Sequence, residues 1–110
     1  MQENGAMDLR ASLGELFGTA TLLLVVIGSG VMATNLSKDV GVQLTINSAA
    51  TGLILYILIT LLGPISGAHF NPLVSGIAFF RKELSAAHTL YFFIAQILGG
   101  SFGAIIANIM

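Results

Sequence analysis

Three long apolar runs constrain this chain more than any other feature of its sequence. They extend from Leu13 to Ala33, from Ile46 to Leu62 and from Leu90 to Met110, and polar or charged residues separate them. A helix of about 20 apolar residues crosses the ~30 Å hydrocarbon layer of a bilayer. The second run is shorter, but Leu44 and Gly63 can extend it. The sequence therefore predicts an all-α transmembrane protein with three membrane-spanning helices.

Composition supports this class and excludes others. Of the 110 residues 55% are hydrophobic and 8% are charged, and the mean hydropathy of +0.94 is typical of a membrane protein. The chain has no cysteine, which excludes disulfides and thiolate metal sites. Four basic residues and a net charge of −1 are too few for a nucleic-acid-binding surface. A lipid bilayer is therefore the expected surrounding.

The connections between the runs set the boundaries of the expected spans, at about residues 11–34, 44–63 and 86–110. The stretch "TNLSKDVGVQ", residues 34–43, lacks an apolar period and is expected to be a solvated connection. Pro64 is expected to end the second span, since the residue before a proline is disfavoured in helical geometry.

The first run has an alternative interpretation as a secretory signal, because Arg10 precedes it and Val31 to Ala33 weakly resembles a cleavage site. At about 21 residues it is longer than a typical signal core, which favours a retained span. On this basis Arg10, Arg81 and Lys82 lie on one side of the membrane and Lys38 lies on the other. The excess of basic residues predicts a cytoplasmic amino terminus in a plasma or inner membrane.

A fourth apolar piece, Leu73 to Phe80, is too short to span the membrane. Asn71 and Pro72 before it form an N-cap and N1 pair that favours a helix start. Such a helix would be about 13 Å long, less than half of the hydrocarbon thickness. An interfacial amphipathic helix is one interpretation. The absence of a charged face in "VSGIAFF" favours the other, a re-entrant loop and half-helix over residues 64–81.

The residues before this helix predict a wet cavity. Ser66 to Phe70 is expected to be extended, apart from a turn at Gly67, and to leave carbonyl groups without helical partners. Such backbone is tolerated at membrane depth only where it lines a cavity or is buried in protein. Carbonyl acceptors followed by the amide donors of Asn71 would suit a small neutral solute. The positive end of the half-helix would disfavour cations.

The stretch "SGAHFNPLVS", Ser66 to Ser75, resembles the first signature motif of the aquaporin or major intrinsic protein family, usually SGAHxNPAVT. The similarity continues in "GELFGTATLLLVVIGSG", which resembles the family's first helix, and in "FFIAQILGGSFGA", which resembles its third. The resemblance implies that residues 1–110 form a single aquaporin-like repeat. In the family such a repeat pairs with a second, inverted one that carries its own half-helix.

The resemblance also implies roles for individual residues. Asn71 matches the donor at the pore centre and Pro72 its helix start. The carbonyl row matches Gly67, Ala68, His69 and Phe70. Glu15 and Gln96 match polar residues of the first and third helices that support the pore loop. From the residues alone, Glu15 could instead snorkel to the interface and Gln96 could join two helices.

Two further positions bear on solute choice. Thr51 matches a position in the second helix that contributes to the family's outer selectivity filter. A small hydroxyl side chain there implies a wide or polar constriction and glycerol-like solutes. Leu73 departs from the alanine usual after Asn-Pro and adds bulk where two half-helices would meet.

Glycine spacing adds a prediction about packing. Gly14 with Gly18, and Gly99 with Gly103, stand four residues apart, a spacing that lets membrane helices approach closely. Glycine is also simply frequent in such helices.

The expected function is a passive channel for water or small uncharged solutes, as the first half of a six-helix channel that the family resemblance implies to be a homotetramer. The missing inverted repeat, or another protomer, would complete the pore. A non-conducting membrane fragment or assembly partner is the alternative, and half of an inverted-repeat secondary transporter is a third. No enzymatic activity, cofactor or metal is expected, since His69 and His88 lack ligand companions.

Overall fold

The computed structural model describes residues 5–109, and it describes side chains from residue 9 onward. These residues form four helices and no strand: α1 Gly5–Leu36, α2 Val40–Ser66, α3 Pro72–Phe80 and α4 Ala86–Ile109. Met1 and Met110, the ends of the expected repeat, lie outside the described residues, and Met110 also ends the expected third span.

Three of the helices are long and apolar enough to cross a membrane, namely Leu9–Leu36 within α1, the whole of α2 and the whole of α4. With nine residues, α3 is too short to do so. The predicted fold class is therefore confirmed: the protein is all-α, with three membrane-spanning helices and one half-helix.

The helix α1 is central, because both α2 and α4 pack against it, whereas α3 packs against α4. The contact with α4 is close at two glycines. A Cβ atom on Gly99 would overlap the backbone carbonyl of Leu16, and one on Gly103 would overlap that of Ala20. The Gly99–Gly103 pair therefore lets the backbones of α1 and α4 touch, as the spacing predicts. Gly14 and Gly18 face side chains of α2 and of the loop before α3 instead.

The connection between α1 and α2 is shorter than the sequence suggested. The expected solvated stretch of residues 34–43 is helical at both ends, and only residues 37–39 lie between the helices. Asp39 caps α2, because its Oδ1 accepts a hydrogen bond of 3.1 Å from the N–H of Val42. This cap gives the charged stretch a structural role. Further along α2, Asn47 donates from Nδ2 to the carbonyl of Val26 at 2.8 Å and joins α2 to α1.

The expectation that Pro64 ends the second span is wrong. Pro64 lies inside α2, which continues to Ser66. Proline disfavours helix at the preceding residue partly by a clash with its Cβ. The preceding residue here is Gly63, which has no Cβ. The end comes at Gly67, whose left-handed backbone (φ 88°) lets its N–H donate to the carbonyl of Gly63 at 2.8 Å.

Polar side chains are enclosed between the helices while apolar ones face outward. The buried polar residues are Glu15, Thr19, Ser75, His88, Thr89 and Gln96, and most large apolar side chains of the three spans are exposed. Lipid accepts apolar surface, whereas polar groups at that depth need protein partners. This distribution suits a protein surrounded by hydrocarbon.

Candidate functional site

The loop before α3 folds back toward α1. The turn expected at Gly67 is confirmed by its left-handed backbone (φ 88°). The expectation of extended backbone is wrong for Ser66, which ends α2, and for Ala68 and Phe70, whose backbones are left-handed with φ of 56° and 53°. Left-handed geometry is strained for alanine and phenylalanine and persists only where surrounding contacts enforce it. The contacts that enforce it converge on one side chain of α1.

Glu15 is that side chain, and it is fully buried, with 0% of its surface exposed. Its Oε2 accepts hydrogen bonds from the hydroxyl of Ser66 at 2.7 Å and from the N–H of His69 at 3.0 Å. Its Oε1 accepts from the N–H of Phe70 at 2.7 Å and from Nε2 of Gln96 at 2.8 Å. Successive backbone N–H groups that point at one anion form a nest. Glu15 thus acts as the internal anion of the loop and does not snorkel.

Gln96 connects three elements. Besides Glu15 on α1, its Nε2 donates to the hydroxyl of Ser75 on α3 at 2.9 Å. The same hydroxyl lies 2.9 Å from Nδ1 of His69. The two interpretations of Gln96, a helix-to-helix hydrogen bond and support of the loop, therefore both describe its contacts.

Besides its contact with Ser75, the imidazole of His69 packs against an aromatic side chain of α4. Phe92 is completely buried and meets His69 edge to face, with ring centroids 5.3 Å apart. His88 contacts the same phenylalanine at 4.5 Å in a similar arrangement. His69 is therefore fixed by Ser75 through its Nδ1 and by Phe92 through its ring.

Asn71 is held by its own helix but keeps its amide group outside it. Its backbone is extended (φ −157°), and its Oδ1 accepts a hydrogen bond of 2.8 Å from the N–H of Leu73. Pro72 occupies the first helical position, where no N–H is needed. The Asn71 side chain is exposed. Because Oδ1 serves the cap, the two N–H groups of Nδ2 remain to meet a ligand.

Four acceptors stand next to this donor. Among the hydrogen bonds of residues 9–109, none uses the carbonyl oxygen of Gly67, Ala68, His69 or Phe70. The side chain of Phe70, by contrast, is buried and lies against Gly18. Only the backbone of Phe70 can therefore face a solute. The loop offers a run of unused carbonyls followed by an amide donor at the start of a half-helix.

Comparison with known proteins shows which family this chain belongs to. The family model described as Major intrinsic protein matches residues 3–110. The chain belongs to the major intrinsic protein family. It is 42% identical to Aquaglyceroporin AqpS of Rhizobium meliloti over 101 residues, which cover 92% of this chain and 43% of the relative.

Two aquaporins are also similar to most of the length of this chain. Aquaporin TIP1-2 of Musa acuminata is 32% identical over 83% of this chain and 37% of its own length. Aquaporin-8 of Notomys alexis is 38% identical over 87% of this chain and 35% of its own length. The chain thus spans less than half of the length of these three relatives.

Thr51 lies near the middle of α2 in this family member. It is half-buried on α2, fifteen residues before Ser66, or about 22 Å along the helix axis. It stands one turn after Asn47, so part of its surface is turned toward α1. Leu73 does belong to the loop region, but 70% of its surface is exposed, and its bulk points away from the packed core of this chain.

Sequence reasoning missed Ser75, His88 and Phe92 as supports of the loop. The sequence does contain a helical spacing for each of these three residues. His88, Phe92 and Gln96 follow one another at intervals of four residues, which places them on one face of α4. Ser75 stands four residues after Asn71 and thus shares its face of α3.

Proposed function

We propose that residues 1–110 form the amino-terminal repeat of a passive channel for water and small uncharged solutes. The observation that carries this proposal is the pairing of four unused carbonyls with the outward Nδ2 of Asn71 at the start of α3. A neutral solute with hydroxyl groups can donate to the carbonyls and accept from Asn71 in turn. Such exchange replaces the hydrogen bonds that the solute leaves behind in water.

The charges around the loop support a preference for neutral solutes. The carboxylate of Glu15 accepts four hydrogen bonds and is fully buried, so it is not available to attract a passing cation. The amino-terminal end of α3 carries the positive end of its helix dipole next to Asn71. A cation at this position would meet that positive end without an exposed carboxylate to compensate.

Two observations favour glycerol-like solutes alongside water. Thr51 is small and hydroxylated at the position that matches the family's outer filter, which leaves room for a polyol. AqpS, which is 42% identical, is named an aquaglyceroporin. We therefore include glycerol-like molecules among the proposed solutes, with no enzymatic step.

The proposed pore needs a second repeat. The outward residues of α3, Leu73, Val74 and Ile77, are exposed apolar side chains at the half-helix that would otherwise meet lipid or water. An inverted repeat with its own half-helix would cover them and close the pore, and four such channels would form the homotetramer. The basic residues Arg81 and Lys82 after α3 support a cytoplasmic amino terminus in a plasma or inner membrane.

The same exposed face supports the alternative. Without a second repeat, the chain presents its half-helix on one side and encloses no pore, so it would be a non-conducting membrane fragment or assembly partner. A secondary transporter would differ in its kinetics, because its flux is saturable and coupled to an ion.

Stopped-flow swelling of proteoliposomes separates these possibilities. Vesicles receive this chain alone, this chain together with an inverted second repeat, or no protein, and are exposed to osmotic, glycerol and urea gradients. The proposal expects permeability above that of empty vesicles for the paired repeats, without saturation or ion dependence. Paired repeats that insert correctly but swell no faster than empty vesicles would refute it.

A further inference from the structure

The turn between α3 and α4 lies where lipid headgroups must be. A membrane half-helix ends at Phe80 and a membrane-spanning helix begins at Ala86, so the residues 81–85 between them stand at one surface of the bilayer. The turn is compact: the N–H of Lys82 donates to the carbonyl of Phe79 at 3.0 Å, and that of Glu83 donates to the carbonyl of Ala78 at 2.8 Å. This closed turn holds Phe80 and Lys82 outward.

Two adjoining grooves border the turn. A surface groove of about 640 Å³ is lined by Phe79, Phe80, Lys82 and Ala86 together with Glu83, Leu84 and Ser85 of the turn. A smaller groove of about 280 Å³ shares the two phenylalanines and Ala86 and continues between α3 and α4. The second groove is almost wholly apolar and leads into the membrane. The surface groove carries the polar groups of Lys82, Glu83 and Ser85 beside apolar surface, and the smaller groove that adjoins it is apolar.

Charge indicates which lipid would fit. Among residues 9–109 the one ion pair joins Arg81 to Glu83 at 3.4 Å. It is exposed, and such a pair binds weakly and exchanges readily with other ions. Lys82 has no carboxylate partner within the described residues. Of the two charged side chains that line the surface groove, Glu83 is paired with Arg81 and Lys82 is not paired among the described residues, so the groove keeps one positive charge near two exposed aromatic rings.

We propose that this double groove binds one anionic phospholipid of the bilayer. Its phosphate lies against Lys82, with Arg81 adjacent, and one acyl chain lies along Phe79 and Phe80 into the groove between α3 and α4. Phe80, with 83% of its surface exposed, borders both parts. The placement at headgroup level commits the site to a lipid, since a soluble anion would leave the apolar groove unfilled.

A single tryptophan makes the site measurable, because the chain has none of its own. Phe80→Trp places a fluorophore at the junction of the two grooves. The protein is reconstituted in vesicles of phosphatidylcholine that contain either brominated phosphatidylglycerol or brominated phosphatidylcholine, and quenching gives the relative affinity. A basic residue near the surface favours an anionic lipid by about fivefold. We therefore expect half-maximal quenching by brominated phosphatidylglycerol at a mole fraction of lipid about fivefold lower than that needed for brominated phosphatidylcholine.

Further variants, made in the Phe80→Trp protein, test whether Lys82 causes the selectivity for phosphatidylglycerol. Lys82→Gln should abolish it. Lys82→Gly should do so as well while relieving the left-handed backbone of residue 82 (φ 63°), so loss of selectivity cannot then be attributed to misfolding. Lys38→Gln, in the turn between α1 and α2, should leave it unchanged. Inorganic phosphate at matched ionic strength should not displace the lipid.

Four results would overturn the proposal. Equal selectivity in the Lys82 variants would show that this residue does not bind the headgroup. Equal loss in Lys38→Gln would indicate a diffuse surface charge. Displacement by phosphate would indicate a site for a soluble anion, and absence of quenching by either lipid would show that protein covers the groove. None of these measurements depends on flux, so the proposed channel function is tested separately.

Discussion

The carboxylate of Glu15 accepts a hydrogen bond of 2.7 Å from the backbone N–H of Phe70, 55 residues later in the chain. This contact ties the first membrane span to the loop that starts the half-helix. It also explains how Phe70 can keep a left-handed backbone, because the strain is offset by a charge-assisted hydrogen bond in a buried site. The geometry of the loop therefore depends on a residue far away in sequence.

Glu15→Gln should destabilise the fold by about 2–3 kcal/mol. The amide keeps one acceptor oxygen but turns an NH₂ group toward donors that formerly shared a carboxylate, which leaves buried N–H groups unmatched. Unfolding by sodium dodecyl sulfate in mixed micelles, followed by circular dichroism, measures the change. Glu83→Gln at the exposed ion pair is the control, with an expected loss below about 1 kcal/mol. Equal stability of Glu15→Gln and wild type would disprove the anchoring role.

Gly18→Ala should destabilise the protein by about 1–3 kcal/mol, because the added methyl group would overlap the ring of Phe70. Phe70→Leu removes part of that ring. In the double variant the cost should therefore be smaller than the sum of the two single costs, by about 1 kcal/mol. The same unfolding assay gives all three values. Strictly additive costs would show that residues 18 and 70 do not meet in the folded protein.

Gly103→Ala should separate α1 from α4 and cost about 1–3 kcal/mol, since the clash is with the backbone carbonyl of Ala20 and not with a side chain that could move. Gly28→Ala is a matched control in α1, because nothing lies within 4 Å of the position of its Cβ. That control should be neutral or slightly stabilising through helix propensity. If both variants lost the same stability, close contact of the two helices would be excluded as the reason.

Ser75→Ala should release the imidazole of His69, because the Ser75 hydroxyl lies between Nδ1 of His69 and the amide of Gln96. The expected cost is about 1–2 kcal/mol for the lost hydrogen bonds. The more specific readout is the ¹⁵N chemical shift of His69 Nδ1, which should change in Ser75→Ala. It should stay the same in Ser101→Ala, where the serine is exposed on α4. An unchanged shift in Ser75→Ala would contradict the contact.

The sequence predicted the helices well because hydrophobic length is a local property. Three spans, the Asn71–Pro72 helix start and the close glycine pair at Gly99 and Gly103 could all be read from short stretches. The ends of the helices are harder to predict from sequence. Pro64 is expected to end α2, but α2 continues past it because Gly63 has no Cβ to clash with the proline. The charged stretch around Asp39 predicts a solvated loop, whereas Asp39 caps α2.

The geometry of the loop could not be derived from local sequence. Nothing near Ala68 or Phe70 indicates a left-handed backbone, since their conformation depends on Glu15, which lies on another helix. The spacing of Ser75 and Phe92 assigns them to faces of α3 and α4, but only the three-dimensional structure shows that both meet the ring of His69. The family resemblance supplied Glu15 and Gln96, whose partners the structure then identifies.

The central proposal is that the outward amide of Asn71 serves as the donor for a passing solute, and one flux measurement tests it most directly. Asn71→Leu and the control Asn108→Leu are introduced into the six-helix channel that contains this repeat, and swelling of proteoliposomes is followed by stopped flow. Asn108 is an exposed asparagine whose Nδ2 donates to the carbonyl of Ala104 on its own helix. We predict that Asn71→Leu lowers water and glycerol permeability toward that of empty vesicles while Asn108→Leu keeps it. Unchanged permeability in a correctly inserted Asn71→Leu channel would contradict the proposal.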